Sequence, residues 1–396
     1  MNATFLKRSL VAIGLTALFF SGRYIYVTLY SLIVIYFLGR YATRYACGKL
    51  LLQRQLSCDR VFRGEDVEVT LSAHNSSWVP LVHVEYSDEI PLNLALQSPR
   101  QATFALAPGE HINFKYTLRT RQRGVHKIGP LQLKINDPWG TQQMQSWVEE
   151  YHELLVYPKV LPIQNIGLPS RLPFGEVRTK HRYFEDPART TGIREYQPGD
   201  PLKKMHWKVS ARTGVLHTRQ FQPTIALETT IFLNLSIDEY AVQHLDYTTE
   251  FAIEVAASVA YYLHMQRQIV GLVTNGQDDT LVKVSARKGE LQLMKILEAL
   301  ARVQICHSQS FVSCLAHEAR LLPWGSTLII ITSEDTPQFV ELVITLRRAG
   351  YLIVVLLVGN RLHHPSFITT PPLPGLHFYQ VRHEGEFNAL GGQKPA

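Results

Sequence analysis

The apolar residues of this chain recur at two different periods, and the change falls near Ala226. From about Val61 to Pro158, the segments DVEVTLSAH, LVHVEYSDE, HINFKYTLRT, LQLKIND and HELLVYP alternate apolar and polar residues. That is the pattern of strands with one face on a core and the other in water. Asn75-Ser-Ser, Ala107-Pro-Gly-Glu and Asp137-Pro-Trp-Gly supply the turns between them. Short strands spaced in this way predict an antiparallel, immunoglobulin-like β-sandwich. No clustered His, Cys or carboxylates lie in it, so binding or spacing is its expected role. Beyond Ala226, apolar runs such as LETTIFLNLS, IVGLVTN, STLIIITS and YLIVVLLV alternate with helical stretches. Continuous apolar strands between helices predict a parallel α/β sheet covered on both faces. Ligands in such sheets sit beyond the carboxyl ends of the strands, here Asn234–Asp238, Thr274–Gly276 and Thr332–Asp335. Neither a G-x-G-x-x-G nor a Walker motif follows the first of these strands, which disfavours a nucleotide.

At the amino terminus two apolar runs, Ser9–Gly22 and Tyr24–Gly39, are split by Arg23. Each is shorter than the ~20 residues of an untilted span. A single helix through both would hold Arg23 at mid-bilayer, at about 2.5–3.5 kcal/mol. A hairpin instead places Arg23 at the far interface among Tyr24, Tyr26 and Tyr30. Lys7 and Arg8 then share the cytoplasmic side with Arg40, Arg44 and Lys49. No small-x-small cleavage site follows the first run, so a removed signal peptide is disfavoured. The expectation is a multi-pass protein of the cell membrane, its termini and soluble domains cytoplasmic. The four cysteines are too scattered for a disulfide framework. Cys306, His307, Cys314 and His317 lack the usual spacing of a zinc site and read as a thiol-bearing helix face.

The formal charge of +7 is concentrated in one place. Between Lys180 and Gln222 nine basic residues face four acidic ones, a net +5. Such a field attracts acidic surfaces, phosphates or anionic lipid. Its centre is GIREYQPGDPLKKMHWKVSARTGVLHTRQF, Gly192–Phe221. Pro198-Gly199 reads as a turn, with Asp200 capping a helix that begins at Pro201 and stops at Gly214. Leu202, Met205, Trp207 and Val209 are expected inward, and Lys203, Lys204 and Lys208 outward. Arg194, Asp200, Trp207 and Arg212 form the expected structural set, because guanidinium forks pair bidentately with carboxylates such as Glu195 and Asp200. His206 and Ser210 are the residues that acid–base or nucleophilic chemistry would use, but neither has an evident base and orienter nearby.

The spacing G-x-R-E-Y-x-P-G-D, W-K-x-S-A-R and R-x-F, carried by Arg194, Glu195, Tyr196, Pro198, Gly199, Asp200, Trp207, Lys208, Ser210, Arg212 and Arg219, resembles the signature of the domain of unknown function 58 family. Arg123-Gly124 and Asp137-Pro-Trp-Gly140 extend the resemblance. It implies a transmembrane hairpin, a β-sandwich, the signature and a von Willebrand factor A-like, Rossmann-like α/β domain with a mainly parallel sheet. The expected division is 1–50 anchor, 51–160 β-sandwich, 161–225 linker and signature, 226–360 α/β domain and 361–396 extension. The resemblance also implies an adaptor associated with a MoxR-type AAA+ ATPase and a transglutaminase-like membrane protein.

Von Willebrand A domains end their first strand in D-x-S-x-S, which ligates Mg²⁺; the matching positions here are Asn234, Ser236 and Asp238. All three offer oxygens, but Asn in place of the leading Asp removes a charge that a hard cation favours. No cofactor is expected, with Mg²⁺ as the exception to test. The leading expectation is a membrane-anchored, non-enzymatic scaffold whose basic signature, with Lys203, Lys204 and Lys208 outermost, docks a cytosolic ATPase. The alternative is an enzyme acting on phosphate or nucleic acid, but a nuclease would be expected to show carboxylates clustered for two metals. Only Glu185, Asp186, Glu195 and Asp200 lie near the signature, so no nucleic acid is expected.

Overall fold

The structure is a computed structural model that describes residues 23–96, 101–137, 143–163, 185–223, 228–240, 245–275, 282–305, 310–333, 336–359 and 375–388. It divides into two compact units, residues 1–159 with 297–303, and 160–296 with 304–396.

In the first unit, helix α1 (Arg23–Cys47) precedes eleven strands. These are β1 (Leu50–Leu56), β2 (Arg60–Phe62), β3 (Asp66–Asn75), β4 (Leu81–Asp88), β5 (Leu94–Leu96) and β6 (Gln101–Leu106). They continue with β7 (His111–Thr120), β8 (Gly124–Ile128), β9 (Leu131–Asn136), β10 (Gln143–Val148) and β11 (His152–Tyr157). Three sheets result, with orders β1-β3-β7-β5, β10-β9-β4-β6 and β2-β11-β8. The period-two pattern explains the pairing. Val67, Val69, Leu71 and Ala73 of β3 are all buried, while the residues between them face outward. One core gathers Leu71, Leu81, Val84, Phe104 and Ile135; a second gathers Val67, Val69, Leu118, Ile128 and Val156.

A charged staple ties the three sheets together. Arg54 of β1 donates through Nε and Nη2 to the two carboxylate oxygens of Asp88 on β4, at 3.1 and 2.6 Å. Its Nη1 donates to the carbonyls of Ile128 and Glu150. The Tyr116 hydroxyl of β7 donates to Asp88 as well. Arg54, Asp88 and Tyr116 are 4%, 1% and 2% exposed, so the network is shut off from water. Burial pushes the Asp88 carboxyl up from its ordinary value, against the opposing pull of Arg54 and the Tyr116 hydroxyl.

The second unit begins with the antiparallel ribbon of β12 (Glu185–Glu195) and β13 (His217–Pro223), with helix α2 (Trp207–Thr213) between them. Then follow β14 (Glu228–Leu233), α3 (Leu245–Met265), β15 (Ile269–Thr274), β16 (Val282–Arg287), α4 (Glu290–Arg302), whose residues from 297 on are counted with the first unit, and α5 (Phe311–Arg320). The unit closes with β17 (Thr327–Thr332), α6 (Pro337–Arg348), β18 (Leu352–Val358), β19 (Leu376–Val381) and α7 (Glu384–Asn388). One six-stranded sheet has the order β16-β15-β14-β17-β18-β19, parallel except for the antiparallel edge strand β16. Strand order reverses beside β14, so the carboxyl ends of β14 and β17 lie side by side. Helix α6 shows why such sequences start helices where they do. Thr336 caps it by accepting the Phe339 N–H, Pro337 opens it, and Arg347 and Arg348 complete its last turn. Its Phe339 and Val343 pack with Phe311, Leu328, Ile330 and Val355 in a single core.

Three expectations are corrected here. Among the described residues no helix is long and apolar enough to cross a membrane. The second apolar run lies in α1, which continues through Arg40 and Arg44 and docks its end on the first β core, burying Thr43 and Ala46. The first run lies outside the described residues. The transmembrane hairpin, the multi-pass membrane placement and the cytoplasmic termini drawn from it are withdrawn together. The first unit is a three-sheet assembly rather than a two-sheet sandwich, because the short β2, β8 and β11 pair with one another. The fold class expected from the sequence is corrected accordingly: the described chain is mostly β, with nineteen strands in five sheets and seven α-helices. The ligand set that would mark a von Willebrand factor A-like domain is not assembled in it.

Candidate functional site

Two places carry the residues singled out above, both in the second unit. The first is the strand-end rim. Asn234, immediately after β14, is fully buried, and its amide braces the backbone around it. Its Nδ2 donates to Thr332 Oγ1 at 3.0 Å, across the point where strand order reverses. Its Oδ1 accepts the Ser236 N–H at 3.0 Å and the Asn275 amide at 3.3 Å. Asn275 Oδ1 in turn accepts the Leu235 N–H at 2.7 Å, and the Tyr240 hydroxyl donates to the Asn234 carbonyl. Ser236 is buried, whereas Asp238 is exposed on a one-turn 3-10 helix, Ile237–Glu239. The oxygen that a Mg²⁺ would require from Asn234 is therefore already committed to two donors. The residues do not fit the ion as they stand. Among the described residues no three His, Cys, Asp or Glu side chains gather as a metal set.

The second place is the signature. Register pairs Ile193 with Arg219, Arg194 with Thr218 and Glu195 with His217. The Tyr196 N–H reaches the Leu216 carbonyl at 2.8 Å and closes the ribbon. Gly199 adopts φ +106°, a backbone angle open to glycine, and the Asp200 N–H bonds the Gln197 carbonyl at 3.0 Å across the turn. Asp200 Oδ2 accepts the Gln197 N–H at 3.0 Å, and its Oδ1 accepts Arg194 Nη2 at 2.7 Å. The Arg194 hydrogen bond, followed by that of the Gln197 amide, holds the Asp200 carboxyl below its ordinary range. The pairing of Arg194 with Asp200 is as expected; Asp200 as a helix cap is not, since both its oxygens serve the turn.

The helix is broken where the sequence suggested one continuous stretch. Leu202–Lys204 make a 3-10 turn, Met205 is extended, and α2 starts at Trp207 with His206 as its cap. His206 Nδ1 accepts the Val209 N–H at 3.3 Å. Gly214 ends α2 at φ 76°, its N–H on the Ser210 carbonyl. Buried Ser210 locks the helix to the ribbon, its Oγ donating to the His206 carbonyl and accepting the His217 N–H at 2.8 Å. His206 Nδ1 and Ser210 Oγ are thus both engaged in holding backbone.

The break resets the helix phase and reverses two assignments. Trp207 is 64% exposed, and Arg212 is exposed with it, so neither belongs to the structural set. Leu202 also faces solvent, while Met205 is buried as expected. Trp207, Lys208, Ala211 and Arg212 are exposed and fall within an arc of about 140° at ~100° per residue, with Thr213 exposed outside it at the helix end. Val209 and Ser210 occupy the opposite side, half-buried and buried. Lys203, Arg219, Glu195, Pro198 and Gly199 are exposed; Lys204 and Tyr196 are half-buried. Ile193, Val215 and Leu216 add exposed apolar surface. His206 as a cap, Ser210 as a clamp and the Asn234 bracing were missed. Their residue types are ordinary cap and amide residues, and only their partners distinguish them.

Comparison with known proteins bears on this segment. The family model described as "Protein of unknown function DUF58" matches residues 192–318. A curated relative, "Uncharacterized protein YeaD" of Bacillus subtilis (strain 168), is 22% identical over 304 residues, covering 73% of this chain and 71% of its own. Together these matches support the family that the signature resembles. Solved structures align only in part. Native α2-macroglobulin from Escherichia coli gives TM-score 0.24 at 17% identity, over 28% of this chain and 16% of that one. A FixG-related protein from Vibrio parahaemolyticus gives 0.19 at 13%, over 27% and 96%. At these scores neither likeness carries an argument about fold or function.

Proposed function

We propose that this chain is a non-enzymatic docking protein that presents the exposed arc of α2 to an acidic partner protein. The observation that carries the reading is Trp207, held largely in water beside Lys208 and Arg212 on a helix clamped from behind by Ser210. Trp and Arg dominate the energetics of protein interfaces, and a rigidly held aromatic loses little entropy on docking. Lys203 and Arg219 widen the cationic field, which favours an acidic face and speeds encounter with it. The partner class proposed is the MoxR-type AAA+ ATPase that the family resemblance implies, with a transglutaminase-like membrane protein as the second candidate in the same assay.

The test is the affinity of the purified full chain for the purified ATPase by titration calorimetry. Trp207→Ala is expected to weaken binding about 30-fold, from a hot spot of ~2 kcal/mol at ~1.4 kcal/mol per tenfold. The double reversal Lys208→Glu with Arg212→Glu is expected to weaken it in a way that fades as salt rises. Wild-type affinity in Trp207→Ala overturns the reading.

A further inference from the structure

We propose that His74 and His111 form a two-imidazole binding site for a divalent transition-metal ion on the outer face of the first unit. The two are cross-strand partners in the β3–β7 register. Their rings stack with centroids 3.7 Å apart and planes 7° from parallel. His74 is half-buried and His111 exposed, so an ion reaches both from solvent. Two nitrogens bound to one tetrahedral ion at ~2.0–2.1 Å are themselves about 3.4 Å apart, a span that directly opposed cross-strand side chains can reach. In the stack the two ring planes run parallel, so the exposed His111 ring must leave the stack and turn about its side-chain torsions to aim a lone pair at the ion held by His74, without movement of the strands.

The tautomer supports the same conclusion. His74 Nδ1 lies 3.3 Å from the Glu110 carbonyl, which can only accept, so in the neutral ring Nδ1 carries the proton and Nε2 has the lone pair. A backbone carbonyl on the far nitrogen is the usual outer support of a metal-bound imidazole. That carbonyl is itself fixed. The Asn75 N–H bonds it at 3.1 Å, and the Glu110 side chain closes its own turn on the Ala107 N–H at 2.7 Å. Asn75, fully buried, anchors the strand end through its amide to the carbonyls of Val79 and Leu106. The first imidazole thus turns its Nδ1 to the backbone and leaves Nε2 for an ion, on a fixed strand end with the second imidazole beside it. Two neutral imidazoles suit Cu²⁺, Zn²⁺ or Ni²⁺ rather than Mg²⁺ or Ca²⁺, and water fills the remaining positions. Those open positions can exchange for a ligand from another molecule.

The experiment titrates ZnCl2 into the full chain, freed of metal by chelation, and follows the histidine ring signals by NMR. Binding is expected at one site, with both rings shifting together. Affinity should fall at least about tenfold in His74→Gln and in His111→Gln. His83→Gln, an exposed histidine on β4, should bind as wild type. With Cu²⁺ as probe, electron paramagnetic resonance should show two nitrogen ligands, separating this site from any thiol. Thermal melting in chelator should match wild type in each variant, which distinguishes lost ligation from lost fold. If a variant unfolds, the ring shifts in the wild-type protein decide alone. Shifts in one ring only, undiminished affinity in either Gln variant, or no binding by wild type overturns the site.

Discussion

Replacing Asp88 by Ala should be among the most damaging single changes in the first unit. The carboxylate takes two bonds from Arg54 and one from Tyr116. Its loss leaves a guanidinium at 4% exposure with only the Ile128 and Glu150 carbonyls as partners, and a buried phenol without an acceptor. Breaking a buried ion pair by removing one partner destabilises by about 3–5 kcal/mol. At ~2–4 °C per kcal/mol for a unit of this size, melting should fall by roughly 6–20 °C. The charge itself is not what the fold needs. Arg54→Met combined with Asp88→Leu removes both ions and should recover most of the loss, since apolar replacements of buried pairs are commonly neutral or stabilising. Thermal melting of the two single variants and the double closes the cycle. Asp88→Ala melting within about 2 °C of wild type would refute the staple. So would a double variant as unstable as the two single losses added.

Gly129→Ala should destabilise the same region by at least ~1–3 kcal/mol, read by the same melts. At φ +117° its new Cβ would lie 2.4 Å from the Glu150 carbonyl oxygen and 3.1 Å from Arg54 Nη1. Ser210→Ala should lower stability by about 1 kcal/mol, because the half-buried His217 N–H loses its acceptor. Trp207→Ala should change stability by no more than about 0.5 kcal/mol, since the ring is already in water. Asp200 should hold its turn through neutral pH. A depressed carboxyl contributes stability that is present above the ordinary value of about 3.9 and lost as pH falls through its lower folded value. The Gln197 amide signal should therefore titrate with a midpoint below about 3.9, and a midpoint above that refutes the pairing.

The alternating strands of the first unit were legible because burial on one face forces a period of two, and β3 shows it residue by residue. Their grouping into three sheets was not. The partners of three- and five-residue strands such as β2 and β8 are set by the neighbouring chain rather than by their own pattern. Arg54 carries a signal in the sequence itself: a charged residue on an inward-facing strand position needs a buried counter-ion. At the amino terminus apolar content alone suggests a membrane span, whereas the tyrosines and arginines interleaved with it suit a protein surface, and α1 ends on the β core.

Within the signature the sequence displays the residue types but not the phase of the helix that carries them. One helix from Pro201 would carry Leu202, Met205 and Val209 down one face, and the inward placing of Trp207 rested on that continuity. Nothing in PLKKMHW forbids it by propensity alone. What forbids it is the ribbon. The His206 N–H is drawn to the His217 carbonyl at 2.8 Å, and the extended Met205 bridges Thr218, so these two residues are held out of helix against β13. The helix must then restart, with His206 spending its Nδ1 on the cap. The restart turns Trp207 outward with Lys208 and Arg212, and a stretch that reads as a buried joint becomes an exposed, clamped face. The same tertiary bonds that defeat the local pattern create the surface on which the proposed docking rests.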